Sequence, residues 1–118
     1  MLIYISLPFT GCEEQSKKRS AEIALQILRE IPNATVINPV LNFSFCDNTV
    51  SYNKCIQMFL DLLSRCDIIV YEGKSKGVLL ELETAKKEWV KIIKYEKDLN
   101  ELKEYTDKWF LVLLHIFL

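Results

Sequence analysis

Short apolar runs alternate with longer stretches of helical periodicity along the 118-residue chain. Leu2 to Ser6 is a run of β-formers followed by Pro8 and Gly11, which predicts a buried strand ending near Leu7. From about Ser16 to Ile31 the residues Ala21, Ala24, Leu25, Leu28 and Ile31 recur at helical spacing. Lys17, Lys18, Arg19, Glu22 and Arg29 fall largely on the other side, and Pro32 stops the helix. Thr35 to Asn38 is a second short strand closed by Pro39, and Val40 to Thr49 reads as a loop. A second helix runs from Val50 or Ser51 to Arg65, with Ile56, Phe59, Leu60 and Leu63 on one side. Ile68-Ile69-Val70-Tyr71 has no polar alternation, the pattern of a strand covered on both faces. A third helix follows Lys76 and runs to about Trp89, with Val78, Leu82, Ala85 and Trp89 as its core stripe. Val90 to Tyr95 gives a fourth strand. Lys97 to Lys108 is polar and helix-compatible. Trp109 to Leu118 continues that helix or forms a fifth strand, and the helix, covering the sheet or a partner subunit, is the preferred reading.

Strands that alternate with helices imply parallel βαβ units, so the expectation is a single α/β domain spanning residues 1–118. Half of the residues are hydrophobic, enough for one packed core. Lys plus Arg number 15 against 16 Asp plus Glu, and this balance lacks the electrostatic footprint of a duplex nucleic-acid binder. The four cysteines (Cys12, Cys46, Cys55, Cys66) form no CxxC pair, which fits reduced thiols and a cytoplasmic location. The apolar stretch from Trp109 onward falls short of the roughly 20 residues a membrane helix needs, so no membrane partner is expected. His115 is the one histidine and lies in that apolar tail, which leaves neither a His-rich metal site nor a Ser-His-Asp triad anything to stand on. No metal is expected.

In an open parallel sheet of order 2-1-3-4 the ligand crevice lies beyond the carboxyl ends of strands one and three. The loops facing each other there are Ser6-Leu7-Pro8-Phe9-Thr10-Gly11 and Glu72-Gly73-Lys74-Ser75-Lys76-Gly77. Gly73 and Gly77 permit close backbone approach, Ser75 is an N-cap, and the free N–H groups opening the third helix favour an anion. The same residues also suit a capped turn with no ligand. Glu83 has Lys86 and Lys87 at i+3 and i+4, whereas Glu81 has Thr84 and Ala85. Glu81 therefore lies on the border of the core stripe at the cleft wall, or else is a boundary glutamate bonded to solvent. Asp67 belongs to the opposite end of strand three and is assigned a structural role.

Two blocks carry a resemblance: Tyr4-Ile5-Ser6-Leu7-Pro8-Phe9-Thr10-Gly11, and Cys66-Asp67-Ile68-Ile69-Val70 followed by Ser75-Lys76-Gly77-Val78-Leu79-Leu80-Glu81-Leu82-Glu83-Thr84-Ala85. Together, with Asn38-Pro39 between them, they resemble the nucleoside 2-deoxyribosyltransferase-like superfamily over roughly residues 1–95. The second block is similar to its S-x-G-x-x-x-E-x-x-x-A pattern, and the first to the Y-I-S-x-P-x-T-G opening of small members. The resemblance implies a three-layer flavodoxin- or Rossmann-like fold with sheet order 2-1-3-4, extended to 5 if the tail is a strand. It also implies cleavage of an N-glycosidic bond in a deoxynucleoside or deoxynucleoside 5′-monophosphate, with no cofactor.

Glu81 matches the family nucleophile, and its ionised form is expected to be favoured by the helix N-terminus. Tyr4 matches the tyrosine that would hold the nucleophile, unless it is simply a buried strand residue bonded elsewhere. Ser75, with the Gly77 amide, would bind a 5′-phosphate. Ser6, Pro8, Thr10, Gly11 and Gly73 complete the expected binding loops. Phe43 and Phe45 would stack on the base or merely pin their loop, and Asp47 could stand in as an acid. The pattern departs at Phe59, where many members place an acid, and at Thr10, where an arginine-type phosphate contact is common. Two other readings stay open beside the enzyme: a nucleotide-binding module impaired in catalysis, and an interaction protein whose apolar tail, Trp109 to Leu118, docks on a partner, with the helical amphipathicity of Leu99, Leu102, Tyr105 and Trp109 suiting a homodimer.

Overall fold

A computed structural model describes residues 1–46 and 50–117. Four strands, β1 (Leu2–Ser6), β2 (Thr35–Ile37), β3 (Ile68–Tyr71) and β4 (Lys91–Lys94), form one sheet in the order β2-β1-β3-β4. Every pairing is parallel, with Tyr4 opposite Ile37 and Ile69, and Ile69 opposite Ile92. The helices are α1 (Glu13–Glu30), α2 (Pro39–Asn42), α3 (Tyr52–Leu63), α4 (Lys76–Lys87) and α5 (Asn100–Phe117). Among the described residues there is no fifth strand; the tail is one helix, and Pro39–Asn42, expected as loop, is a short helical turn.

Alternation along the strands sorts the core into two layers. Ile3, Ile5, Ile68, Val70 and Ile93 pack with Ile23 and Ile27 of α1 and Leu102 of α5. Tyr4 and Ile69 face the other way, against Leu63 of α3 and Ala85 of α4. The helices begin where side chains supply the caps: Ser51 Oγ accepts from Lys54 N–H, and Ser75 Oγ from Val78 N–H, both at 3.2 Å. At the amino edge of the sheet, Asp67 Oδ2 accepts the Leu2 N–H at 2.7 Å, the structural role expected of it.

Three expectations about faces are corrected. In α1 the buried residues are Ser16, Ser20, Ile23 and Ile27, while Leu25 and Leu28 are each 50% exposed. The serines can occupy the inner stripe because their hydroxyls bond to backbone, Ser16 to Pro8 O and Ser20 to Lys17 O. Trp89 is not a core residue. Helix α4 stops at Lys87, Trp89 takes a left-handed backbone (φ 60°), and Val90 N–H closes the end onto Ala85 O at 2.9 Å. That reversal turns the indole outward, 95% exposed. Finally, Leu99 and Leu102 lie in the chain's own core, so they do not face a partner. Beyond Thr106 the described tail helix has no buried residue, and Phe110, Leu111, Val112 and Ile116 of the apolar tail are exposed. Among the described residues no helix is long and apolar enough to cross a membrane.

Candidate active site

The crevice lies where the topology places it. A cleft of about 850 Å³ opens over the carboxyl end of β1, between the first turns of α1 and α4 and the inner sides of α2 and α3. Its two facing loops are pinned to each other. Gly73 has φ +83°, and a Cβ there would lie 2.5 Å from Pro8 Cγ, so only glycine fits. The expectation that Gly73 leaves room for a ligand is thus corrected, since its close neighbour is Pro8. Neither residue borders the large cleft. Gly11 has φ +85° with open space around it and turns the chain into α1.

Glu81 reaches the cleft floor from the second turn of α4 and is half-buried. Ser6 Oγ, at the last residue of β1, donates to Glu81 Oε1 at 3.2 Å. Tyr4, two residues earlier on the same face of β1, is fully buried, and its hydroxyl has no hydrogen-bond partner among the described residues. Burial, then the negative charge of Glu81, holds that phenol well above its ordinary pKa. The Glu81 carboxyl is itself pushed up to about 7 by burial, against the opposing pull of the Tyr4 and Ser6 hydroxyls. Here the sequence-based expectation is reversed. A helix N-terminus stabilises charge mainly within its first turn, and Glu81 lies beyond it, so desolvation outweighs the dipole.

The rest of the cleft has two chemically distinct parts. Thr10, Ser75, Lys76 and Gly77 border it at the start of α4. A Cβ on Gly77 would meet only Ser75 Oγ, at 3.8 Å, so the backbone there is not crowded by the protein. On the α3 side is an aromatic wall in which the Phe43 and Phe59 rings lie 5.4 Å apart. Phe45 is 6.0 Å from Phe43 on the outside and 72% exposed, so it supports the wall without bordering the cleft. Asp47 lies outside the described residues.

Sequence reasoning missed Glu13 and Lys17 of α1 and Tyr52 and Cys55 of α3, which also border the cleft. It placed Lys17 and Arg19 on the solvent side. Arg19 instead reaches across to Glu72 after β3, with two hydrogen bonds of 3.0 and 2.9 Å, and lies over the Tyr95 ring. Among the described residues no group of three or more His, Cys, Asp or Glu could hold a metal ion.

A structure titled "2-desoxiribosyltransferase from Leishmania mexicana" is similar in fold, with a TM-score of 0.54 over 80% of this chain at 18% identity. The chain spans 63% of that structure's length. No protein-family model matches the chain. No curated protein matches it either.

Proposed function

We propose that this chain cleaves the N-glycosidic bond of a deoxynucleoside or deoxynucleoside 5′-monophosphate, with Glu81 as the nucleophile. The observation that carries the reading is a half-buried carboxylate on the floor of a cleft at the sheet's switch point. It is served by the Ser6 hydroxyl and lies beside a buried Tyr4 hydroxyl that has no other partner. Such a group is reserved for something that enters the cleft, because an unpaired buried hydroxyl is costly unless a ligand or the reacting carboxylate engages it. The fold shared with a deoxyribosyltransferase agrees with this reading.

A Glu81 oxygen attacks the anomeric carbon while the C–N bond breaks, its electron pair leaving with the base. The result is a covalent sugar ester on Glu81. Phe59 offers no proton, so the departing base takes one from solvent. Water or a second base then attacks the same carbon, Glu81 leaves as a carboxylate, and the attacking group gives up its proton. Ser6 and Tyr4 hold the carboxylate's rotamer. The Phe43 and Phe59 wall packs on the base. Ser75 and the Gly77 amide hold a 5′-phosphate at the start of α4. Pro8 and Gly73 keep the two crevice loops in register.

The test is base release from a panel of deoxynucleosides and their monophosphates, followed by chromatography. The intact chain should release free base, and Glu81→Ala should not. Release by that variant at an unchanged rate would remove Glu81 from the reaction. The aromatic Phe59 favours a second reading, saturable nucleotide binding without turnover, which the same assay separates when the ligand is recovered intact.

A further inference from the structure

The N-termini of α1 and α4 both border the cleft, and the chain treats them oppositely. The first turn of α1 carries Glu13 and Glu14. Glu13 turns back to accept the Gly11 N–H at 3.2 Å, and bonds from the backbone N–H groups of Glu13 and Gly11 hold its carboxyl below the usual carboxylate range. It is a fixed negative charge on the cleft border. Lys17, one turn further along, also borders the cleft, but its ammonium lies 3.6 Å from Glu14. The first turn of α4 contains no acid, brings Lys76 to the cleft, and engages Ser75 Oγ only at Val78 N–H. On the wall of the same cavity the fully buried Tyr4 hydroxyl lies beside the Glu81 carboxyl and makes no hydrogen bond among the described residues.

One end of the cleft therefore attracts an anion and the other has already filled that place with its own carboxylate. We propose that Glu13 is a specificity-determining residue that limits the ligand to a single phosphate. A nucleoside monophosphate seats its phosphate at α4, whereas the extra charges of a di- or triphosphate enter the field of Glu13. Glu13 is exposed, so its repulsion acts through solvent and reaches only charges within about one Debye length, 8–10 Å. The proposal rests on the nucleotide reading above and adds a residue and a discrimination to it.

Calorimetric titration of the intact chain with a deoxynucleoside 5′-monophosphate, its diphosphate and its triphosphate tests this. The unaltered protein should bind the monophosphate about tenfold or more tightly than the triphosphate. Glu13→Gln, which keeps an acceptor for the Gly11 N–H, should narrow that ratio several-fold by tightening the longer ligands alone. Lys17→Gln, which removes the compensating cation, should widen it. High salt should shrink the difference between the proteins. The same monophosphate-to-triphosphate ratio in all three proteins would overturn the role of Glu13 while leaving nucleotide binding intact. Absence of binding by every nucleotide would overturn the nucleotide reading itself, and this proposal with it.

Discussion

Two carboxylates at opposite edges of the same sheet have opposite surroundings. Asp67, at the amino edge, accepts the Leu2 N–H at 2.7 Å, and its own N–H is bonded to Leu2 O at 2.9 Å. It joins the starts of β1 and β3 and is used up in doing so. Glu81, at the carboxyl edge, has one 3.2 Å hydrogen bond from Ser6, an orphaned phenol beside it and an open cleft in front. Burial without full satisfaction raises its pKa to about 7. A carboxylate that the fold satisfies stabilises the fold, and one that the fold leaves short is available for chemistry.

The largest effect should come from removing the charge of Glu81 while keeping its shape. Glu81→Gln should reduce base release about 10³-fold or more. Its stability effect runs the other way. A carboxyl whose pKa rises from 4.5 in the unfolded chain to about 7 in the fold contributes fully below the lower value, and that contribution is lost as pH rises through the upper one. The unaltered protein should therefore lose on the order of 2 kcal/mol relative to Glu81→Gln between these pH values. Urea unfolding at pH 4.5 and pH 8 reads this, and parallel pH profiles for the two proteins would place Glu81 in a solvated setting like any surface acid.

The comparison sharpens at the loops. The carboxyl edge is lax at Glu81 but rigid where Pro8 meets Gly73. Gly73→Ala asks a Cβ to lie 2.5 Å from Pro8 Cγ and 2.8 Å from Cδ at a left-handed φ. It should destabilise by about 3 kcal/mol, from strain and overpacking together. Adding Pro8→Ala should recover the overpacking part and leave the strain, a non-additivity that thermal melting of the single and double variants would show.

Much of this was legible in the residues because the relevant signals are local. Uninterrupted runs such as Ile68-Ile69-Val70 announce central parallel strands, and Ser75 announces a helix start. Glu81 stood out because nothing at i+3 or i+4 could pair with it. What escaped depends on which face a helix turns inward. Ser16 and Ser20 look polar in a sequence yet sit inside, because their hydroxyls are satisfied by backbone, Ser16 by Pro8 O in the preceding loop and Ser20 by Lys17 O one turn back. Leu25 and Leu28 look like core and lie outside. Lys17 and Cys55 reach the cleft only through packing of α1 and α3 across the sheet, which no short window encodes. Gly73 was recognised as a place of close approach, but its neighbour Pro8 is 65 positions away. The raised pKa of Glu81 follows from the depth of its burial, which a helix position in the sequence does not show.

The smallest effect belongs to the satisfied carboxylate and completes the comparison. Asp67→Ala removes the acceptor of the Leu2 N–H at an exposed strand start, where water can replace it. The loss should be about 1–2 kcal/mol, the range for a hydrogen bond to a charged group that solvent partly compensates. Base release per folded molecule should stay unchanged, because the amino edge lies a full strand length from the cleft. Asp67 also helps burial hold the Cys66 thiol up near 11, so its removal should let that thiol react faster with a disulfide reagent. Rate of thiol modification, melting temperature and base release measured on one preparation separate the two edges. A fall in base release as large as that of Glu81→Gln would mean that the amino edge takes part in the chemistry and that the division of labour between the two carboxylates is false.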